Sequence, residues 1–190
     1  MSNTASTFDA PQPVVVNRVP LWLAVAVTVV LSLPFGLWLG KYNFTLWCSF
    51  IAWAEYFALG AKPKVIPTIL VSFGYAAVLT GVSLAIIPLF AFLPSWVTPG
   101  DLATAASLFI VVSFMVYSMK WSHHFVDGSL PFFNGISMAL GIYFTSSYPQ
   151  LGPAALLPVT AAVWATAMAA FGILLGVITV VLQFPSRQSA

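Results

Sequence analysis

Charge is what this sequence has least of. Only 5% of its 190 residues are Asp, Glu, Lys or Arg, against about 25% in an ordinary soluble domain. So few polar groups cannot cover a water-facing surface, which excludes a soluble globular protein. The net charge of +2 is small and scattered, so nucleic acid is not an expected partner. Cysteine is reduced to Cys48, which leaves no internal disulfide. A C-x-x-C pair, a Gly-rich phosphate loop and an H-E-x-x-H helix are all missing. With them go the commonest cofactor and metal signatures, and neither a cofactor nor a metal is expected.

What is present is apolar. Hydrophobic residues make up 61% of the chain and aromatics 15%, with a mean hydropathy of +1.00. The expected solvent is a lipid bilayer. Several of the seven Trp fall near the ends of apolar runs, as in an interfacial belt.

Spanning a bilayer takes roughly 20 apolar residues as a helix. Residues 19–39, 45–59, 65–92, 102–119, 132–145 and 153–184 form six such segments, of which 45–59 and 132–145 are short. Residues 1–17 hold no Lys or Arg and lack the basic start of a secretory signal. They read as an unstructured cytoplasmic tail before a six-helix transmembrane domain at 18–184, with a second cytoplasmic tail at 185–190. If the N-terminus is cytoplasmic, Arg18, Lys62, Lys64, Lys120 and Arg187 fall inside and only Lys41 falls outside. That is the bias of the positive-inside rule.

Segment lengths run medium, short, long, then medium, short, long. EYFALGAKPKVIP and IYFTSSYPQLGP both pass from an aromatic pair through a Pro-containing loop into a long segment. The expected fold class is therefore all-α: an integral membrane bundle of six helices, built as an inverted three-plus-three repeat with short second and fifth helices. Such repeats are a signature of transport folds, and their short helices mark the binding region.

The second segment, CSFIAWAEYFALG, carries one of only four acidic residues in the chain, Glu55. At about 100° per residue, Glu55 shares a face with Cys48, Ile51, Ala52, Ala58 and Leu59. Leu46, Phe50, Trp53 and Phe57 lie opposite, and bulky apolar residues suit acyl chains as small ones suit helix contacts. In the fifth segment Asn134, Ser137, Gly141 and Thr145 share a face, opposite Phe133, Ile136, Leu140, Tyr143 and Phe144. Facing one another, the two small or polar faces would form a solute path of Glu55, Cys48, Ala52, Asn134, Ser137, Gly141 and Thr145. A carboxylate at membrane depth costs about 2.5–3.5 kcal/mol on insertion scales, so it marks either a functional group or a helix-to-helix tie.

His123, His124 and Asp127 in WSHHFVDGSLP read as a pH-sensitive loop, or as a polar interface loop that starts the fifth helix. Adjacent histidines diverge on a helix, which argues against a metal site. Gly36-x-x-x-Gly40 and Gly172-x-x-x-Gly176 match the close-packing motif of membrane helices, and Ala161, Ala165 and Ala169 extend the second stripe. Ser122 beside His123 makes no catalytic triad, so an enzyme is not expected.

The order FIAWAEYFALGAKPK, a long helix with internal Gly, then MKWSHHFVDGSLPFFNGISMALGIYFTSS resembles an uncharacterised bacterial inner-membrane family, domain of unknown function 1097. The likeness covers about residues 50–182. It implies an integral membrane fold in the bacterial inner membrane and supplies no activity. In that family the position of Glu55 is often small and uncharged, which makes Glu55 a specialisation or a packing variant of this chain. The expected function is a channel or facilitator for a small polar solute such as urea, an amide, guanidinium or ammonium, working as a homo-oligomer. The alternative is a non-catalytic subunit packed in a larger membrane complex.

Overall fold

Backbone N–H and C=O groups in hydrocarbon must bond within their own segment, so apolar runs of this length fold as helices. The computed structural model describes residues 14–42 and 44–188. Among them are seven α-helices: α1 (Leu21–Leu39), α2 (Leu46–Ala58), α3 (Ile66–Ala85), α4 (Asp101–Ser118), α5 (His123–Asp127), α6 (Ser129–Phe144) and α7 (Leu157–Leu182). Four of them, α1, α3, α4 and α7, are long and apolar enough to cross a membrane. α2 has 13 residues and α6 has 16, which is about 20 Å and about 24 Å of helix.

Two helix starts differ from the sequence expectation, and proline explains both. α6 begins at Ser129 rather than at 132, with Pro131 inside its first turn. α7 carries Pro158 at its second position. The first turn has no N–H bond for proline to break.

α3 and α7 form the antiparallel centre of the bundle. A Cβ on Gly81 of α3 would lie 2.8 Å from the Pro158 carbonyl oxygen of α7, and Gly74 faces Thr166. α1 runs antiparallel to α7, tied where the Thr179 hydroxyl donates to Thr28 at 3.0 Å. α4 runs antiparallel to α3, tied by Ser83 with Ser107 at 3.1 Å and by the Tyr75 hydroxyl on Ser118 at 2.8 Å.

The short helices cross over. α2 lies on α7, with the Ser49 backbone flat against Gly172 and Tyr56 over Gly176; α6 lies on α3, with Gly135 flat against the Phe73 backbone. α2 returns the chain to the end where α7 finishes, since Leu59, Val65 and Ile66 pack with Ile173, Val177 and Val180. The main core between these four helices holds Cys48, Ala52, Phe73, Ala139, Ala165 and Ala169.

Two short strands close one end. β1 (Val14–Asn17) pairs antiparallel with β2 (Pro185–Gln188), so both ends of the described chain stand together. The Asn17 side chain also donates to Gln183 Oε1 at 2.8 Å. The expectation of an unstructured tail over 1–17 is corrected at 14–17, where pairing with 185–188 supplies the backbone bonds that a lone segment lacks. Residues 1–13 lie outside the described residues. Arg18, Lys62, Lys64, Lys120 and Arg187 sit toward this end of the bundle, and Lys41 follows the far end of α1. Trp22, Trp38, Trp96 and Trp121 are exposed at helix ends or in loops, as headgroup anchoring requires.

Asp101 begins α4 and organises the loop before it. Its carboxylate accepts the backbone N–H groups of Trp96, Val97 and Thr98 at 2.9, 2.6 and 3.1 Å. The bonds from Val97, Trp96 and Thr98 hold its carboxyl well below the ordinary carboxylate value of 3.8. Because the folded value is depressed, this contribution to loop order is complete above the unfolded value and is lost as pH falls through the folded one. Amide protection at residues 96–98 is therefore expected to hold from about pH 7 to about pH 5. Asp101→Ala should remove it at neutral pH, as hydrogen exchange would measure; unchanged protection in that variant would refute the capping role.

Candidate functional site at the α2–α6 seam

The residue the sequence singles out is buried. Glu55 is 2% exposed, and Cys48 and Ala52 beside it are fully enclosed. Asn134 Nδ2 of α6 donates to Glu55 Oε1 at 2.6 Å. Glu55 Oε2 is also buried and has no hydrogen-bond partner among the described residues. A buried carboxylate oxygen without a donor is costly.

Toward the far end of the bundle the start of α2 meets the end of α6. Trp47 of α2 lies against Gly141 of α6, and the Thr45 hydroxyl donates to the Ser147 carbonyl at 2.6 Å. A cleft of about 340 Å³ lies here, lined by Gly36, Gly40, Phe44, Thr45, Trp47 and Ser147. Thr45 at this cleft and Glu55 thus place hydrogen-bonding groups at two depths along α2.

The expected α6 face needs correction. Its buried residues are Pro131, Phe132, Gly135, Ala139 and Ile142. Asn134 and Gly141 are half-buried, and Ser137 and Thr145 are exposed. Each exposed hydroxyl is satisfied by its own helix: Ser137 Oγ donates to the Phe133 carbonyl at 3.1 Å and Thr145 Oγ1 to the Gly141 carbonyl at 2.7 Å. A hydroxyl bonded back to residue i−4 tolerates an outward position, so polarity alone misassigned the face. The stripe of Asn134, Ser137, Gly141 and Thr145 borders the seam rather than lining the core.

Trp53 is a second correction. It is buried, its indole Nε1 lacks a partner, and its ring lies on Gly176. Its bulk suits a lipid face, but the close approach of α2 to α7 at Gly176 encloses it, and Val25 of α1 lines a cleft beside it.

Among the packing glycines, Gly172 and Gly176 receive α2 and Gly36 faces Leu46, whereas Gly40 has nothing near it. Gly40 is thus removed from the packing set: it follows the last residue of α1, and no described atom beyond its own stretch of chain lies within 4 Å of a Cβ placed there. The close approaches at Gly135 and Gly81 were not singled out in the sequence, and neither lies in a G-x-x-x-G pattern.

His124 docks on α3: its Nδ1 lies 3.0 Å from Thr68 Oγ1, and the Ser72 hydroxyl donates to its carbonyl. His123 and Asp127 are exposed. The two imidazoles do not diverge; their centroids are 3.9 Å apart, because α5 is one short turn starting at His123. Among the described residues no three His, Cys, Asp or Glu side chains come together.

Four apolar helices long enough to span, with a buried carboxylate between two shorter ones, define a multi-pass helical membrane protein. The chain matches the family described as protein of unknown function, DUF1097, over residues 18–183, and it belongs to that family. No curated protein and no solved structure matches it.

Proposed function

We propose that this protein is a channel or facilitator for a small polar solute, neutral or cationic, with the α2–α6 seam as its path. One observation carries the reading: Glu55 is enclosed within an apolar bundle, with one oxygen bonded to Asn134 and the other unpaired among the described residues. A carboxylate costs about 2.5–3.5 kcal/mol at the helix centre on insertion scales. An interhelical hydrogen bond in a membrane returns about 0.6 kcal/mol on average and at most about 1.7. The cost exceeds the structural return, which is the mark of a group kept for function.

The proposed architecture is six crossings in an inverted three-plus-three repeat, with both termini in the cytoplasm of a bacterium. The cross-packing of α2 on α7 and α6 on α3 supports the repeat. So do the ends of the short helices. After α2, Leu59, Gly60 and Ala61 donate to Glu55, Phe57 and Tyr56; after α6, Thr145, Ser146 and Ser147 donate to Gly141, Tyr143 and Ile142. Gly60 and Ser146 both take positive φ, 95° and 52°. The cation-rich end supports the orientation.

The second reading, a subunit of a larger membrane complex, draws on a groove of about 500 Å³ along α3 and α7. Gly74, Thr166, Ala167 and Ala170 line part of it, and small residues let another helix approach. A second copy seated there would make the homo-oligomer.

In proteoliposomes, Glu55→Gln is expected to lower guanidinium flux about tenfold and urea flux far less, since only the cation loses a Coulomb attraction. Equal guanidinium flux in wild type and variant would overturn the role of Glu55, and flux no greater than in protein-free liposomes would overturn conduction.

A further inference from the structure

We infer that the Glu55–Asn134 pair is a binding site for a small monovalent cation that exchanges there with a proton. The inference deepens the conduction reading and rests on it for its biological use, but it concerns occupancy rather than flux.

The argument begins with charge. The basic side chains Arg18, Lys62, Lys64 and Lys120 are all exposed while Glu55 is buried. The titratable side chains on the helices around it add no positive charge: Cys48 and Tyr56 on α2, Tyr75 on α3 and Tyr143 on α6, with none on α7. Tyr75 is committed to Ser118 on the α4 side, and Tyr143 lies near Tyr148. A buried carboxylate with no cationic partner among the described side chains calls for neutralisation by something that arrives from solution.

The donor inventory then says what can arrive. Asn134 Nδ2 gives one of its two N–H groups to Glu55 Oε1, which leaves the pair one N–H donor and two acceptors, Glu55 Oε2 and the Asn134 amide oxygen. A site with one unit of negative charge and acceptors in excess of donors suits a proton, or a monovalent cation bearing N–H donors such as ammonium or guanidinium. Urea carries donors too, but no charge. A divalent ion such as Ca²⁺ would need about 6–8 oxygens, and among the described residues no three His, Cys, Asp or Glu side chains come together.

Access follows the seam. Asn134 and Gly141 are two turns apart on α6, about 10 Å along the axis, and Gly141 stands beside Trp47 at the cleft. The exchange balances in atoms and charge. The carboxyl O–H bond breaks, its proton passes to water, and the carboxylate oxygen accepts a hydrogen bond from the entering cation. One positive charge replaces another.

The test is thermal unfolding of the full chain in mild detergent, with guanidinium chloride or ammonium chloride at low millimolar levels. N-methyl-D-glucamine chloride, a cation too large for the seam, controls for ionic strength. A ligand bound only by the native state raises Tm saturably. Guanidinium or ammonium is expected to do so and glucamine not. Where the proton holds the site, the half-saturating concentration should rise about tenfold for each unit that pH falls, by competition. Glu55→Gln should abolish both effects. Stabilisation equal to that of glucamine, indifference to pH, or an unchanged response in Glu55→Gln would each overturn the inference. The wild-type pH series decides the matter even if the variant fails to fold. Competitive binding without any flux would leave this site standing and defeat conduction; flux that depends on Glu55 without competitive binding would do the opposite.

Discussion

Gly172→Ala is expected to be the most damaging small substitution in the bundle. A Cβ there would fall inside the space of the Ser49 carbonyl oxygen, with the Ser49 backbone carbon only 2.8 Å away. The obstacle is backbone rather than the tip of a flexible side chain, so relief requires α2 to move as a body. Overpacking costs about 1–3 kcal/mol and more where repacking is blocked. Since α2 carries Cys48, Ala52 and Glu55, the shift would also separate Glu55 from Asn134. Thermal unfolding in detergent should show Tm lower by about 5 °C or more, at about 2–4 °C per kcal/mol for a chain of this size. Gly40→Ala is the internal control: nothing lies within 4 Å of its Cβ, and alanine there should change Tm little. Equal Tm values for the two variants would refute the close approach of α2 to α7.

Glu55→Leu is expected to separate stability from function. Leucine has similar bulk, removes the unpaired Oε2 and loses one bond to Asn134. The carboxylate costs about 2.5–3.5 kcal/mol against about 0.6–1.7 kcal/mol returned. The difference favours leucine, and replacing buried charge with apolar bulk is often stabilising. Tm should rise while guanidinium flux in proteoliposomes disappears. A lower Tm with unchanged flux would make Glu55 a structural tie and move the subunit reading ahead.

Much of the candidate site was legible because helical periodicity is local. Cys48, Ala52 and Glu55 point inward, as their shared face required, and the two short helices do meet, at Glu55–Asn134 and Trp47–Gly141. Ser137, Thr145 and Trp53 were misassigned for one reason. In lipid, apolar bulk no longer separates inside from outside, so the partner helix decides the face. Ser137 and Thr145 satisfy themselves on Phe133 and Gly141, while Trp53 packs on Gly176 of α7, far along the chain.

The sequence by itself determined the solvent, the helical secondary structure and the side on which the cations gather. Each depends on composition or on bonds within one segment, and hydrocarbon leaves an apolar backbone no alternative to the helix. Only the tertiary structure decided that α2 rests on α7 and α6 on α3, that 14–17 pairs with 185–188, and that Glu55 Oε2 is left without a donor. Those outcomes depend on contacts between residues far apart in the chain, such as Ser49 with Gly172, whose fit is a matter of backbone shape rather than of hydropathy.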